Sequence, residues 1–435
     1  MGTGSRLFVR ATAWLIAERI VKLGVGFVAA VWVARYLGPE QYGTFAFSIS
    51  FTLLFSELTT LGLNALLARS FVEHSEDVGT VIGTAITLRL AAGVIAGVSA
   101  VLLIATLSPG DAQLGVMIAV LAVSFVFRAG EVFEQYFYSL EDMRPPAVSR
   151  ISSSGVQLAL SAGMILARIS VVGFAVAKTL ETVFMNLAFA AAYLRRHHEH
   201  RWRFDAGLAR RMMSVSWPLI LSGFGATLNL RVDQVMLASL SGTEEVGFYA
   251  VASQLSEVWY FVPTAIMTAA LPALVRLKRR DPEAYARRYQ SSFDAMLWLG
   301  IVVATVVSLV ASFVVPTLFG ERYLPSVPML VIHVWGGSFV AMRAVLSKWI
   351  VTEGFTTVSL VTHGLGAAAN VAANLLLIPA YGGVGAAVAT VFSYAVSSYL
   401  ALFVWRRTWP VAWMMTKALT APVRHALAYT RGTGT

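Results

Sequence analysis

Residues 33–48 read VARYLGPEQYGTFAFS and place Gly38, Glu40 and Gly43 between two long apolar runs. Glycine adopts positive φ angles that other residues avoid. A glutamate beside a helix start accepts capping hydrogen bonds and suits the positive end of the helix dipole. The stretch therefore predicts a tight turn between two apolar helices, with Glu40 capping the second helix.

The same turn recurs in the second half of the sequence. When Gly38 is aligned with Gly242, ARYLGPEQYGTFA meets ASLSGTEEVGFYA, and Glu40 meets Glu244. A second repeated pair lies near the end of each half, with VVGFAVA at 171–177 and GVGAAVA at 383–389. Two matches in the same order indicate that the chain consists of two related halves.

The composition is that of a membrane protein. Hydrophobic residues make up 57% of the chain, charged residues only 13%, and the mean hydropathy is +0.71. Apolar stretches longer than about 18 residues recur as far as residue 404, and each can cross roughly 30 Å of hydrocarbon as a helix. The chain has no cysteine, which excludes disulfides and cysteine-ligated metals. It has no GxxxxGK[ST] motif, so we expect neither ATP binding nor any cofactor.

We predict an all-α polytopic membrane protein with twelve transmembrane helices. The spans lie at residues 12–35, 43–68, 78–107, 113–139, 146–167, 171–194, 213–240, 247–275, 292–319, 326–351, 356–378 and 383–405. Because each half has an even number of spans, both halves enter the membrane in the same direction, and a pseudo-two-fold axis along the membrane normal should relate them.

The halves define the predicted domains. Residues 1–194 form an N-terminal six-helix bundle, 195–212 a basic cytoplasmic linker, 213–405 a C-terminal six-helix bundle, and 406–435 a basic cytoplasmic tail.

The distribution of basic residues predicts the orientation. Most of the 33 lysines and arginines fall on the side of the N-terminus, and the opposite loops hold only Arg35, Arg168 and Arg322. The positive-inside rule therefore places both termini in the cytoplasm. The same loops account for the net charge of +10, so we expect no nucleic-acid partner.

The turn LGPEQYGTFAF and the segment IPAYGGVGAAVATVFSY resemble the Wzx-type O-antigen and polysaccharide repeat-unit flippases. These proteins belong to the multidrug/oligosaccharidyl-lipid/polysaccharide (MOP) exporter superfamily, and the resemblance covers residues 10–405. It implies two helical bundles, as in MATE transporters, around a central cavity that opens alternately to either side. It also implies a bacterial inner membrane and a polyprenyl-pyrophosphate-linked oligosaccharide as substrate. Glycosyltransferases and a polysaccharide polymerase of the same pathway are then the expected partners, and we expect the flippase to act as a monomer.

Ionisable side chains inside the bilayer are functional candidates, because each costs roughly 2.5–3.5 kcal/mol to insert. The basic ones are Arg19, Lys22, Arg89, Arg128, Lys178, Arg231 and Arg343. The acidic ones are Glu18, Glu57, Glu131, Glu134, Glu181, Asp233, Glu257 and Asp294. Internal ion pairing is the alternative explanation for Glu18 with Lys22 and for Lys178 with Glu181, because their spacings place them on one helix face.

The predicted substrate site consists of basic groups that would hold a pyrophosphate and amides that would replace water around the sugars. Its residues are Arg19, Lys22, Arg89, Arg128, Arg231, Arg343, Gln135 and Asn229. We expect the basic groups to turn inward and form a shared positive chamber between the two six-helix halves. In span four, Ser124, Arg128, Glu131 and Gln135 form one polar stripe that should face a wet cavity.

Energy coupling would come from an ion gradient or the membrane potential, since no ATP site is predicted. The candidate carboxylates for proton or sodium uptake are Asp233, Glu131, Glu257 and Glu57. We interpret Asn370 and Asn374 in span eleven as interhelical hydrogen-bonding groups.

Two related functions stay open, a MATE-type antiporter of drug cations with protons or sodium and a lipid II-type flippase. A membrane enzyme is not expected, because the predicted outer loops are too short to carry catalytic groups.

Overall fold

The computed structural model describes residues 3–73, 77–196 and 201–424, and no strand occurs in those ranges. The predicted all-α membrane fold is confirmed, since eight helical segments are long and apolar enough to cross a membrane. The helices of the first half are α1 (Thr3–Thr60), α2 (Leu63–Glu73), α3 (Val78–Leu107), α4 (Ala112–Phe127), α5 (Glu131–Ser139), α6 (Arg144–Leu166) and α7 (Val171–Leu194). They are followed by α8 (Ala206–Ser241), α9 (Thr243–Glu257), α10 (Phe261–Arg280), α11 (Pro282–Phe319), α12 (Ser326–His333), α13 (Gly336–Glu353), α14 (Thr356–Ser398) and α15 (Trp409–Ala418).

Two of these helices contain a non-helical glycine and are each two helices joined at a kink. Helix α1 breaks at Gly38 and α14 breaks at Gly382. Conversely, the pairs α4 and α5, α9 and α10, and α12 and α13 follow each other after only a few residues. The second part of α1 is likewise followed closely by α2. When each kinked helix is counted as two and each of these four pairs as one, all twelve predicted spans fall on helical segments of the described chain, and α15 lies beyond them.

The repeated glycine has the same backbone conformation in both copies of the motif. Gly38 has φ 74° and ψ 171°, and Gly242 has φ 91° and ψ 169°. Both values lie in a region that side chains disfavour, which explains why glycine occupies these positions. The predicted capping role is wrong for the second copy, because Glu244 is exposed in the first turn of α9 and caps no helix among the described residues.

The chain folds as two compact units, Met1–Thr227 and Leu228–Thr435, with the boundary inside α8. In the first unit α3 packs on α4, α1 packs on α6, and α7 packs on both α4 and α6. In the second unit α13 packs on α10, α11 and α14, and α9 packs on α12. Residues 197–200 of the predicted linker and 425–435 of the predicted tail lie outside the described residues.

Residues 201–205, which belong to the predicted linker, pack against α3 of the first unit. A side chain at Gly83 would place its Cβ 2.4 Å from the Arg203 carbonyl oxygen, so glycine allows the two backbones to approach. The Asp205 backbone N–H donates a hydrogen bond to Thr84 Oγ1 at 3.0 Å. The Trp202 ring packs on Phe133 with 5.5 Å between centroids. Helix α8 begins directly after this segment.

Helix α15 is docked on α11 in the second unit. The Trp298 indole N–H donates to the Ala418 carbonyl oxygen at 3.0 Å, and Arg424 forms an ion pair with Asp294 at 2.7 Å. The predicted tail therefore begins as a helix packed on the membrane domain.

Candidate functional site

A cavity of about 500 Å³ lies inside the first unit, with its lining drawn from α1, α2, α4, α5, α6 and α7 and the 3₁₀ turn at Arg128. The polar stripe predicted for span four, Ser124, Arg128, Glu131 and Gln135, lines it. The stripe continues across a break, because Arg128–Gly130 form a 3₁₀ turn between α4 and α5. The charged lining residues are Lys22, Glu57, Arg128, Glu131, Glu134, Arg150, Lys178 and Glu181.

Glu131 is shared by two arginines. Its Oε1 accepts from Arg128 Nε at 2.9 Å, and its Oε2 lies 3.6 Å from Arg89 Nη1. Arg89 is 1% exposed and also donates to the Asn64 side-chain oxygen. A buried guanidinium needs such a counter-charge, because an unpaired charge in a low-dielectric interior is costly. Glu131 therefore holds Arg128 at the cavity wall and neutralises Arg89 behind it.

Glu134 is held by a residue that the sequence analysis did not select. Arg150 of α6 donates to both of its carboxylate oxygens, from Nε at 2.7 Å and from Nη2 at 2.8 Å. The Tyr138 hydroxyl donates to the same carboxylate at 2.8 Å. Arg150 lies near the start of the span predicted at 146–167, so it is absent from the list of intramembrane basic residues. The sequence assigns no basic partner to the acidic candidate Glu134. This lack is the signal that the list of candidate basic residues is incomplete.

Lys178 and Glu181 form the ion pair predicted from their spacing, with 2.6 Å between Nζ and Oε2. The predicted alternative pair of Glu18 with Lys22 is not formed, and Lys22 has no ion pair within the described residues. Glu57 likewise has no basic partner there and accepts a hydrogen bond from Thr227 Oγ1 at 3.3 Å. Lys22 and Glu57 are thus the cavity charges that no ion pair of the described chain neutralises.

The lining of this cavity is balanced in charge. Four basic and four acidic side chains share it. Three of the basic ones, Arg128, Arg150 and Lys178, are each paired with a carboxylate. The cavity of the first unit therefore holds three ion pairs and, among the described residues, one ammonium group without an ion pair.

A second polar cluster is buried in the second unit around Asp233, which is 1% exposed. Its carboxylate accepts from Asn374 Nδ2 at 2.6 Å, from Thr390 Oγ1 at 2.6 Å and from the Tyr249 hydroxyl at 3.0 Å. All three donors are neutral, and they come from α9 and from the two parts of α14 on either side of its kink. In the described parts of the chain, Asp233 is thus a buried carboxylate held by neutral hydrogen-bond donors and by no cation.

The cluster continues through the remaining amides of α8 and α14. Asn374 donates to Asn370 at 3.0 Å, Asn370 donates to Ser393 at 3.3 Å, and Ser393 donates to Asn229 at 3.2 Å. The two asparagines of span eleven are therefore interhelical hydrogen-bonding groups, as interpreted, but one of them bonds directly to Asp233.

The other candidates of the second unit have separate surroundings. Arg231 lies 3.6 Å from Glu257 and both are partly exposed. Arg343 donates to Thr362 Oγ1 and to the Ser397 carbonyl oxygen, each at 2.8 Å, so its partners are neutral. In the first unit Arg19 is exposed and, like Arg89, is not part of the cavity lining.

Sequence reasoning missed Arg150, Tyr138, Tyr249 and Thr390. The last two carry no charge and lie in apolar stretches, so only their contacts with Asp233 identify them.

A family model and two curated proteins match parts of this chain. A family model described as polysaccharide biosynthesis protein matches residues 8–278. The probable flippase AglR of Haloferax volcanii is 30% identical over 189 residues, which are 39% of this chain and 37% of that protein. An uncharacterized membrane protein of Methanocaldococcus jannaschii is 21% identical over 196 residues, 44% of this chain and 38% of that protein. The matches thus span less than two fifths of the length of either curated relative.

Solved structures share the fold over nearly the whole chain. The lipid II flippase MurJ in an inward closed conformation superposes with a TM-score of 0.75 at 12% identity, covering 97% of this chain and 93% of MurJ. A multidrug resistance MATE family transporter of the MOP superfamily, in its inward-facing conformation, superposes with a TM-score of 0.72 at 16% identity, covering 91% and 98%. At these identities the likeness concerns the fold alone.

Proposed function

Since this chain belongs to the polysaccharide biosynthesis protein family and has the fold of MOP superfamily transporters, we propose that it is a lipid-linked oligosaccharide flippase. Its substrate would be a polyprenyl-pyrophosphate-linked repeat unit, moved from the inner to the outer leaflet of the cytoplasmic membrane by alternating access. Both termini would lie in the cytoplasm. The pathway's glycosyltransferases and polymerase would supply and consume the substrate, and the chain would act as a monomer.

The observation that carries this proposal is Lys22, which lines the cavity of the first unit and forms no ion pair with any residue that the structure describes. An ammonium group with no carboxylate partner has its charge available for an anionic ligand. Arg128 lies in the same lining and commits Nε to Glu131, which leaves guanidinium N–H donors for a phosphate oxygen. Lys22 and Arg128 together would hold the pyrophosphate by charge-assisted hydrogen bonds.

The size and polarity of the cavity suit the headgroup rather than the lipid tail. A volume of about 500 Å³ lies within the usual range for small-molecule sites. Gln135, Asn64 and Ser56 add amide and hydroxyl groups to the lining, which can replace water around sugar hydroxyls. The polyprenyl tail would remain in the surrounding bilayer.

We assign the coupling step to Asp233. A buried carboxylate without a cationic partner is favoured to bind a proton or a small hard cation, because either one neutralises its charge. The oxygens of Thr390 and Tyr249 lie beside it and can act as further oxygen ligands. Glu257 is a weaker candidate because Arg231 lies beside it, and Glu131 is already paired with two arginines.

The proposal is tested by reconstituting the full chain in lipid vesicles that contain a polyprenyl-pyrophosphate-linked oligosaccharide. Ion-gradient-dependent transfer of the oligosaccharide between leaflets, read by a sugar-modifying reagent added outside, is the expected result. Transport of a quaternary ammonium drug by the same vesicles, without transfer of the lipid-linked sugar, would instead establish the cation antiporter. A chain carrying Arg128→Ala should be inserted normally and lose sugar transfer.

A further inference from the structure

We propose that the cleft between the ends of α10 and α13 is a binding site for an anionic phospholipid. This cleft has a volume of about 470 Å³ and lies in the second unit. Its lining residues are Leu271, Val275, Lys278, Arg279, Val351 and Thr352. Neither the substrate cavity nor the cluster around Asp233 shares a residue with it.

The two helices that form the cleft change polarity at the same level. On α10 the exposed side chain of Val275 is followed one turn later by that of Arg279, and the helix ends at Arg280. On α13 the exposed Val351, at 61% exposure, is followed by Thr352 and Glu353, where the helix ends. In a membrane-spanning chain such a change marks the boundary between hydrocarbon and headgroups. The cleft therefore crosses the depth at which lipid phosphates lie.

Lys278 is held in place at this boundary. Its ammonium group donates to the Thr352 carbonyl oxygen at 2.8 Å and lies 2.9 Å from Glu353 Oε2. The Tyr285 hydroxyl fixes the other carboxylate oxygen of Glu353 at 2.7 Å. An ammonium group has three N–H donors, so one stays available to a ligand.

Arg279 supplies the net positive charge of the cleft. Its side chain is exposed and forms no ion pair within the described parts of the chain. Glu353 offsets the charge of Lys278, so Arg279 sets the sign of the potential that a headgroup meets. A guanidinium group binds phosphate oxygens in a bidentate way.

The apolar wall identifies the ligand as a lipid rather than a soluble phosphate. The cleft also has an apolar wall, formed by Leu271, Val275 and Val351. An acyl chain would pack against this wall, on the hydrocarbon side of the basic residues. Basic clefts between transmembrane helices at headgroup depth are suited to anionic lipid headgroups. The ligand is therefore a phospholipid with a net negative headgroup, such as phosphatidylglycerol.

The test is a lipid titration of the purified, delipidated full chain in detergent, read as the shift of the thermal unfolding midpoint. Phosphatidylglycerol should raise the midpoint, while phosphatidylcholine and soluble glycerol phosphate should raise it much less. Arg279→Gln should need about fivefold more phosphatidylglycerol for the same shift, as expected for the loss of one basic residue at a lipid surface. Arg276→Gln is the matched control, because Arg276 is exposed on the same helix and does not line the cleft, and it should titrate as the wild type does.

A second variant tests the apolar wall independently. Val351→Asp alters an exposed residue and places a carboxylate in the cleft, so it should also weaken the response to phosphatidylglycerol. The proposal is overturned if Arg279→Gln and Val351→Asp both titrate as the wild type does. An equal shift with phosphatidylcholine would overturn it too, since the site would then not depend on headgroup charge. An equal shift with glycerol phosphate would also overturn it, since the site would then not require an acyl chain.

Discussion

The carboxylate of Glu245 accepts a hydrogen bond from the backbone N–H of Gly383 at 2.8 Å. The two residues belong to the two motifs that recur in the sequence, SGTEEVG at the start of α9 and GVGAAVA after the kink of α14. Gly382, with φ 52°, precedes the bonded N–H, so the bond fixes the helix kink at its turning point. In the second unit the two motifs thus contact each other directly. The hydrogen-bond acceptor is Glu245, and not Glu244, which is the residue that aligns with Glu40.

We therefore expect Glu245→Ala to destabilise the second unit by about 1–3 kcal/mol, because the buried Gly383 N–H would lose its acceptor. Glu245→Gln should cost less, because the amide oxygen can still accept. The neighbouring Glu244→Ala serves as control, since Glu244 is exposed. Thermal unfolding of the purified variants in detergent measures the difference. A loss for Glu244→Ala as large as that for Glu245→Ala would contradict this role.

The close approach of residues 201–205 to α3 predicts a steric effect at Gly83. Gly83→Ala would bring a Cβ to 2.4 Å from the Arg203 carbonyl oxygen and should cost about 1–3 kcal/mol. Gly97→Ala on the same helix meets its nearest atom at 3.6 Å and should be neutral or slightly stabilising. Faster trypsin cleavage after Arg201 and Arg203 in Gly83→Ala, and not in Gly97→Ala, is the expected observation. Equal cleavage of the two variants would argue against docking of this segment.

The ion pairs of Glu131 with Arg89 and Arg128 can be tested by substitution. Glu131→Gln removes the counter-charge of Arg89 and should destabilise the protein by about 3–5 kcal/mol. Replacing both partners, as Glu131→Leu with Arg89→Met, should recover much of that stability. The fully buried guanidinium of Arg89 is then gone, and Arg128, which also loses its partner, is 21% exposed at the cavity wall. The surface variant Glu283→Gln, whose partner Arg287 is exposed, should change stability by less than about 1 kcal/mol. If the double variant is no more stable than Glu131→Gln, charge neutralisation is not the reason for the loss.

If Asp233 binds the coupling ion, its substitution should change how transport responds to an ion gradient. Asp233→Asn keeps a hydrogen-bonding side chain but removes the charge that binds a proton or sodium, so transfer in vesicles should lose its response to an imposed gradient. A drop of at least about tenfold in gradient-stimulated rate is expected, given the strength of charge-assisted contacts. Asp294→Asn, at a carboxylate paired with Arg424 near α15, is the control. An undiminished gradient response in Asp233→Asn would remove this residue from the coupling step.

The sequence predicted the fold well because its signals are local. Apolar length alone locates the spans, and the positive φ of Gly38 and Gly242 follows from residue type and spacing. Contacts within one helix were equally accessible, as with Lys178 and Glu181 three residues apart.

Contacts between helices could not be predicted from one sequence. The pair of Glu134 and Arg150 joins α5 to α6, and the contact of Asp233 with Thr390 joins residues 157 positions apart. Their geometry depends on how helices pack, which hydropathy does not encode. The shared basic chamber stays a prediction, while the cavity of the first unit is lined by basic and acidic groups in equal number.

The proposed transport depends on the binding of the substrate pyrophosphate by the ammonium of Lys22, which has no ion pair among the described residues. Its most direct test is the binding of polyprenyl pyrophosphate and of uncharged polyprenol to the purified full chain. The matched pair of variants is Lys22→Gln and Arg35→Gln, because Arg35 is exposed on the same helix and does not line the cavity. We predict that the pyrophosphate binds far more tightly than polyprenol, and that Lys22→Gln alone weakens its binding by about tenfold or more. Equal affinity for the two lipids, or unchanged pyrophosphate binding by Lys22→Gln, would contradict the account.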